Sequence, residues 1–137
     1  MTRAAIVDTG PLVAALDRRD VAHGWVGEQL KALAPPLLVC EPVLTEVAYL
    51  LGRRRGQTDV LLGLVSSGAL RVAWSLDAEV EAVRGLMRKY ADQPMSLADA
   101  CVVRMAELFD DHAVFTLDAD FAVYRTSRNQ PIRLIAP

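Results

Sequence analysis

The sequence predicts an α/β three-layer sandwich, a central parallel sheet of about five strands with helices on both faces. Three observations lead there. Short apolar β-former runs alternate with longer helical stretches, the pattern of successive βαβ units joined by right-handed crossovers. Leu37-Leu38-Val39-Cys40 is a continuous apolar run, as expected of a strand covered on both faces. Ala4-Ala5-Ile6-Val7 ends abruptly on Asp8, and Gly10-Pro11 then turns the chain towards a helix. A carboxylate is thereby delivered to the carboxyl end of a buried strand, where such folds keep their chemistry.

Taken in order, the first strand leads to a short helix from Leu12 to Leu16 and a charged turn from Asp17 to Asp20. Asp20 reads as the N-cap of a helix from Val21 to Leu33, ended by Pro35-Pro36. The second strand follows. Glu41-Pro42 opens a helix with proline at a tolerated first-turn position, running through Leu51 to Gly52 and carrying Glu46. Gln57 to Ser66 is a further helix closed by Ser67-Gly68. Leu70-Arg71-Val72-Ala73-Trp74 alternates like an edge strand. Asp77 caps a helix to Tyr90, with Leu76, Val80, Val83, Met87 and Tyr90 on one stripe, acids early and Arg88-Lys89 late. Ser96 begins a helix from Leu97 to Phe109. Ala113 to Thr116 is a strand, Leu117 to Asp120 a loop, Phe121 to Tyr124 one helical turn, and Ile132 to Ile135 the last strand.

The 137 residues fit one domain, 1–137, without linker or repeat. Apolar residues at 53% and charged ones at 23% exclude a disordered chain. No apolar run is long enough to span a bilayer, and Met1-Thr2-Arg3 leads straight into a strand, so the expectation is a cytoplasmic protein with no membrane partner. Cys40 and Cys101, far apart in the sequence and each within apolar surroundings, read as small buried thiols rather than a disulfide or zinc site. His23 and His112 lie near no poised serine or cysteine, which argues against a nucleophilic triad. A net charge of −2 gives no global attraction to nucleic acid, although cations bound by clustered acids would shift that balance. The one basic run, Arg53-Arg54-Arg55, suits a helix C-terminus at least as well as phosphate contact.

The acids carry the functional signal. Asp8 alone reads as an Asx turn or N-cap, with Thr9 able to do similar capping work. Glu46 has Pro42, Val43, Tyr49 and Leu50 as helical neighbours, so its charge must be met from elsewhere in the fold, by an arginine or a metal. Ser96-Leu97-Ala98-Asp99 matches a capping box, yet Asp99 shares its stripe with Val103 and Ala106 and points inward. Asp118 follows a strand as Asp8 does, whereas Asp120 reads as part of a solvated turn. Two acids after strands and two in early turns of helices can converge above the carboxyl ends of the sheet. Like charges gathered there repel by on the order of several kcal/mol unless cations intervene. All-oxygen ligands without histidine or cysteine favour Mg²⁺ or Mn²⁺, which in many nucleases activate water and clamp phosphate oxygens.

At these residues the chain resembles the PIN-domain ribonucleases, and especially the VapC-like toxins of toxin-antitoxin pairs. The matching pieces are Val7-Asp8-Thr9-Gly10-Pro11, Thr45-Glu46, Ser96-Leu97-Ala98-Asp99-Ala100 and Thr116-Leu117-Asp118-Ala119-Asp120-Phe121, in order across essentially the whole chain. The resemblance implies strand order 3-2-1-4-5, a Mg²⁺ or Mn²⁺ site and hydrolysis of RNA. It implies Asp8, Glu46, Asp99 and Asp118 as acidic site residues and metal ligands, Thr116 orienting the cluster through its hydroxyl, and Asp120 as an auxiliary ligand. It also implies a homodimer and a small antitoxin protein, for which the apolar helices around Val43 to Leu51 and Val60 to Val65 are the candidate surface.

Other classes fit less well. An aspartyl phosphatase would want a second aspartate where Gly10 stands. A receiver-like signalling domain would pair acids near the first strand and supply a lysine after the last strand, whereas the acid after Asp8 is Asp17 and no lysine follows Asp118. A catalytically silent module with a Mg²⁺-binding acidic pocket is the remaining alternative. No GxxxxGK[ST] loop or GxGxxG turn supports nucleotide binding.

Overall fold

The apolar runs become the strands of one parallel sheet. The computed structural model describes residues 3–52 and 56–137, so the basic run at 53–55 lies outside the described residues. β1 (Ala5–Val7) lies at the centre, between β2 (Leu37–Val39) and β4 (Ala113–Phe115), with β3 (Leu70–Val72) and β5 (Leu134–Ile135) at the edges. The order is β3-β2-β1-β4-β5, every pairing parallel, with Ile6 in register with Leu38 on one side and Val114 on the other. β1, β2 and β4 are buried at every position, whereas Arg71 of β3 is exposed, which is why the central strands are uniformly apolar and the edge strand alternates.

Strand succession runs outward from β1 to β3 and then reverses to β4 and β5. With right-handed crossovers, that reversal puts the helices of the two halves on opposite faces and leaves a crevice between the ends of β1 and β4. α1 (Thr9–Leu16), α2 (His23–Leu30), α3 (Glu41–Leu51) and α4 (Gln57–Ser66) form one packed group, and α5 (Leu76–Lys89) packs on α6 (Leu97–Leu108). Arg104 staples that last pair, its Nε donating to Glu79 at 2.9 Å and its Nη1 to Glu107 at 3.3 Å. Among the described residues, no helix is long and apolar enough to cross a membrane.

Several boundaries depart from the sequence expectation, each for a local reason. α1 begins at Thr9 rather than Leu12, because the first-turn amides need no helical partner and Pro11 sits there at no cost. α2 is shorter at both ends than Val21 to Leu33. Asp20 forms a tight turn onto the Ala22 amide (2.9 Å), and at the far end Arg3 bonds with Ala32 and Ala34 and bridges Leu33. Ser75 rather than Asp77 stands at the N-cap of α5, and Val80 falls off the buried stripe, 42% exposed, while Val83 and Leu86 carry it. Phe121 to Tyr124 contributes only the end of a 3-10 turn spanning Ala119–Ala122. Cys40 and Cys101 are buried free thiols.

Candidate acidic site

Asp8 occupies the N-cap position of α1 with extended backbone (φ −88°, ψ 174°), yet its side chain makes no capping bond. Its Oδ2 instead accepts the Thr116 hydroxyl at 2.8 Å, from 108 residues away and at the end of the neighbouring strand β4. The same Thr116 oxygen accepts the Asp118 amide at 2.9 Å. One fully buried hydroxyl thus ties the acid after β1 to the acid after β4, across the crevice where the strand order reverses. Asp118 caps the 3-10 turn, its Oδ1 accepting the Asp120 amide at 2.9 Å, and both aspartates are half-buried.

Asp99 completes the capping box expected of it, with both the Ser96 hydroxyl to Asp99 amide bond and the Ser96 amide to Asp99 Oδ2 bond at 3.0 Å. Glu46 is half-buried on α3, and its Oε2 accepts the Thr9 hydroxyl at 2.8 Å. Thr9 adjoins Asp8, so Glu46 is drawn to the same end of the sheet. The buried face of α3 is Val43, Val47 and Leu51, whereas Tyr49 and Leu50 are exposed. The apolar face expected around Glu46 is therefore only partly an inward one.

Electrostatics couple these groups. Burial pushes the Asp8 carboxyl up to about 6, against the lowering effect of the Thr116 hydroxyl and the Thr9 amide, and the charges of Asp99 and Asp118 push the same way. Burial also raises Asp99, with Asp118 and Glu46 adding repulsion. Among the described residues, none of the four acids forms an ion pair, so the arginine that could have neutralised Glu46 is not there. Nor do any three His, Cys, Asp or Glu side chains among the described residues stand close enough to make a finished metal cage. The arrangement is four carboxylates in which Asp99 is repelled by each of the other three, each acid with at least one oxygen held by a hydroxyl or amide donor.

Gly10 shows how tightly this end is packed. A Cβ there would meet Leu117 Cβ at 3.2 Å, and Leu117 is carried between Thr116 and Asp118. Alanine gains roughly 1 kcal/mol over glycine within a helix, but overpacking costs about 1–3 kcal/mol. Gly10→Ala is therefore expected to lower the melting temperature, and an increase in a thermal melt would show that Leu117 yields freely.

Sequence reasoning missed three participants. Thr9 was read only as a cap, and its bond to Glu46 joins residues 37 apart. Tyr124 is fully buried, and its hydroxyl has no hydrogen-bond partner among the described residues. Trp74, whose indole N–H is similarly unpartnered, lines a groove of about 640 Å³ that Glu46 opens onto, walled also by Pro42, Leu76, Leu97 and Ala98. A polar aromatic at the end of an apolar run was the one signal available for the last two.

Comparison with known proteins agrees with this fold. A family model described as PIN domain matches residues 5–126. Ribonuclease VapC26 of Mycobacterium tuberculosis is 33% identical over 115 residues, spanning 82% of this chain and 85% of the relative. The crystal structure of Mycobacterium tuberculosis VapC20, described as a sarcin-ricin loop cleaving toxin, is similar with a TM-score of 0.75 over 88% of this chain and 94% of that one. At 24% sequence identity this likeness speaks for the fold.

Proposed function

The chain belongs to the PIN-domain family, among its VapC-like members, and from that premise we propose that it is a Mg²⁺- or Mn²⁺-dependent endoribonuclease, the toxin of a toxin-antitoxin pair. The observation that carries this reading is the charge coupling of Asp8, Glu46, Asp99 and Asp118 near the switch point of a parallel sheet, with no ion pair to any of them among the described residues. Carboxylates drawn out of water without counter-charge are costly, and a bound cation would remove that cost. The hard-oxygen donor set fits Mg²⁺ or Mn²⁺.

Asp8, Glu46, Asp99 and Asp118 would hold the ion, with Asp120 as an auxiliary. Bound there, a divalent cation supplies activation of the attacking water and neutralisation of phosphate charge. The chain's own residues position. Thr116 fixes the rotamer of Asp8 and the backbone at Asp118, Thr9 holds Glu46, and the Ser96 capping box holds Asp99 at a helix N-terminus that favours its ionised form. The groove beside Glu46, with its apolar walls and indole, suits an unstacked base of single-stranded RNA next to the scissile phosphate. The relative named a ribonuclease supports RNA as the substrate class.

Tyr49, Leu50, Val60 and Leu62 project from α3 and α4 into solvent, 81%, 60%, 47% and 54% exposed. Val43, Val47, Leu51 and Leu61 of the same helices are core and leave no free surface. The exposed set supports a protein partner on these helices, either the antitoxin or the second copy of a homodimer, in a cytoplasmic setting.

The test is incubation of the purified chain with a mixed RNA pool in EDTA, Mg²⁺ and Mn²⁺, beside Glu46→Gln. Cleavage that requires the metal and is lost in a folded Glu46→Gln protein is expected. Cleavage indifferent to EDTA, or intact in the variant, would remove the acidic site from the mechanism.

A further inference from the structure

A tyrosine hydroxyl buried without a partner is expensive, on the order of 1–3 kcal/mol, and phenylalanine would fill the same volume without that cost. Tyr124 is in that position. Its ring is gripped edge-on by Tyr90 (centroids 5.2 Å apart) and Phe121 (5.3 Å). Its amide is bonded to the Asp120 carbonyl at 3.2 Å, at the end of the turn that Asp118 caps. On the next residue the Tyr90 hydroxyl accepts the Arg125 amide at 2.6 Å and donates to the Arg125 carbonyl at 3.3 Å. The ring is fully buried and its hydroxyl completes no hydrogen bond among the described residues, while Asp99 lies near enough to act on it both by charge and as the carboxylate it would donate to, with Asp120 and Asp118 acting by charge. Of these, Asp99 has Oδ2 committed to the Ser96 amide.

We propose that Tyr124 is a positioning residue of the acidic site, its hydroxyl donating to the Asp99 carboxylate as the acids draw together and so setting the orientation in which that carboxylate meets a divalent cation. This rests on the metal-dependent reading above. The hydroxyl remains a neutral donor throughout. It gives Asp99 a donor at the side chain to complement the capping-box amide, and a carboxylate held at two points has one orientation rather than several.

The experiment is titration of Mn²⁺ into the full metal-free chain by calorimetry for wild type, Tyr124→Phe and Tyr90→Phe, with kcat and KM on single-stranded RNA measured separately. Loss of an outer partner of a metal ligand costs about 10- to 100-fold in affinity or activity. Tyr124→Phe is accordingly expected to weaken Mn²⁺ binding and lower kcat by about tenfold with KM unchanged, while the metal-free protein melts no lower than wild type. Tyr90→Phe, which loses two bonds to the backbone of Arg125 and keeps its ring against Tyr124, is expected to bind Mn²⁺ like wild type. Mn²⁺ affinity and kcat of Tyr124→Phe within twofold of wild type would overturn the role, as would equal losses in the two variants, which would assign the effect to packing. If the wild-type chain binds no Mn²⁺ at all, the acidic-site reading itself falls and the role of Tyr124 falls with it.

Discussion

Asp8→Asn is expected to abolish RNA cleavage while making the metal-free protein more stable. The opposition follows from one environment. Asp8 is 5% exposed, and burial lifts its carboxyl from 3.8 to about 6, so at neutral pH the folded state carries a charge it disfavours. At 1.36 kcal/mol per pH unit the penalty is about 3 kcal/mol. Asparagine is of the same shape and can still accept the Thr116 hydroxyl, losing only the charge-assisted part of that bond. A net gain of about 1–2 kcal/mol is expected, a rise of several degrees in the melting temperature measured in EDTA. The amide is a poor ligand for a hard divalent cation and does not neutralise it. The loss of activity should exceed the roughly hundredfold upper range for an outer partner. A protein that melts lower than wild type yet cuts RNA normally per folded molecule would make Asp8 a structural residue.

How much of this was legible in the sequence depended on whether an interaction was local. The strands, the edge position of β3 and the bounds of α3 and α4 follow from apolar runs and terminal proline and glycine, all read within a few residues. The Ser96-Asp99 capping box is an i, i+3 pattern and was equally visible. Asp8 shows the opposite. Its local context reads as an N-cap, but its carboxylate turns away from the helix to a hydroxyl on another strand, which no window on the sequence contains. Thr9 and Glu46 are joined in the same non-local way. Amphipathic reasoning erred where a residue lies on the boundary of a stripe. Val80, Tyr49 and Leu50 are apolar and in phase, and the packing of neighbouring helices leaves them in solvent. The orphaned hydroxyl of Tyr124 is the extreme case, since a group whose defining property is the lack of a partner has no sequence pattern.

Acidification should stabilise the metal-free chain and erase the extra stability that the ion confers, so that the two stability curves converge. For an acid whose folded pKa is raised, the charged form is the disfavoured one. Its cost is complete above the folded pKa, fades as pH falls through it, and is gone below the unfolded value. For Asp8 that window runs from about 6 down to 3.8, and the raised carboxyl of Asp99 acts in the same direction. Asp111, held low by its hydrogen bond to His112, opposes the trend only below the ordinary carboxylate value, outside that window. In EDTA the melting temperature should therefore climb between pH 7 and pH 5, Asp8 contributing about 1.3 kcal/mol there of the about 3 kcal/mol available over the whole window, with a visibly smaller slope in Asp8→Asn. Mn²⁺ at about a hundred times its dissociation constant should add about 2.7 kcal/mol at neutral pH. Protons compete with the ion for the same carboxylates, so that increment should vanish across the same window. An EDTA profile that falls on acidification from pH 7 to pH 5 would mean that the protein itself holds these acids comfortably charged. The physical case for a cation among them would then be lost.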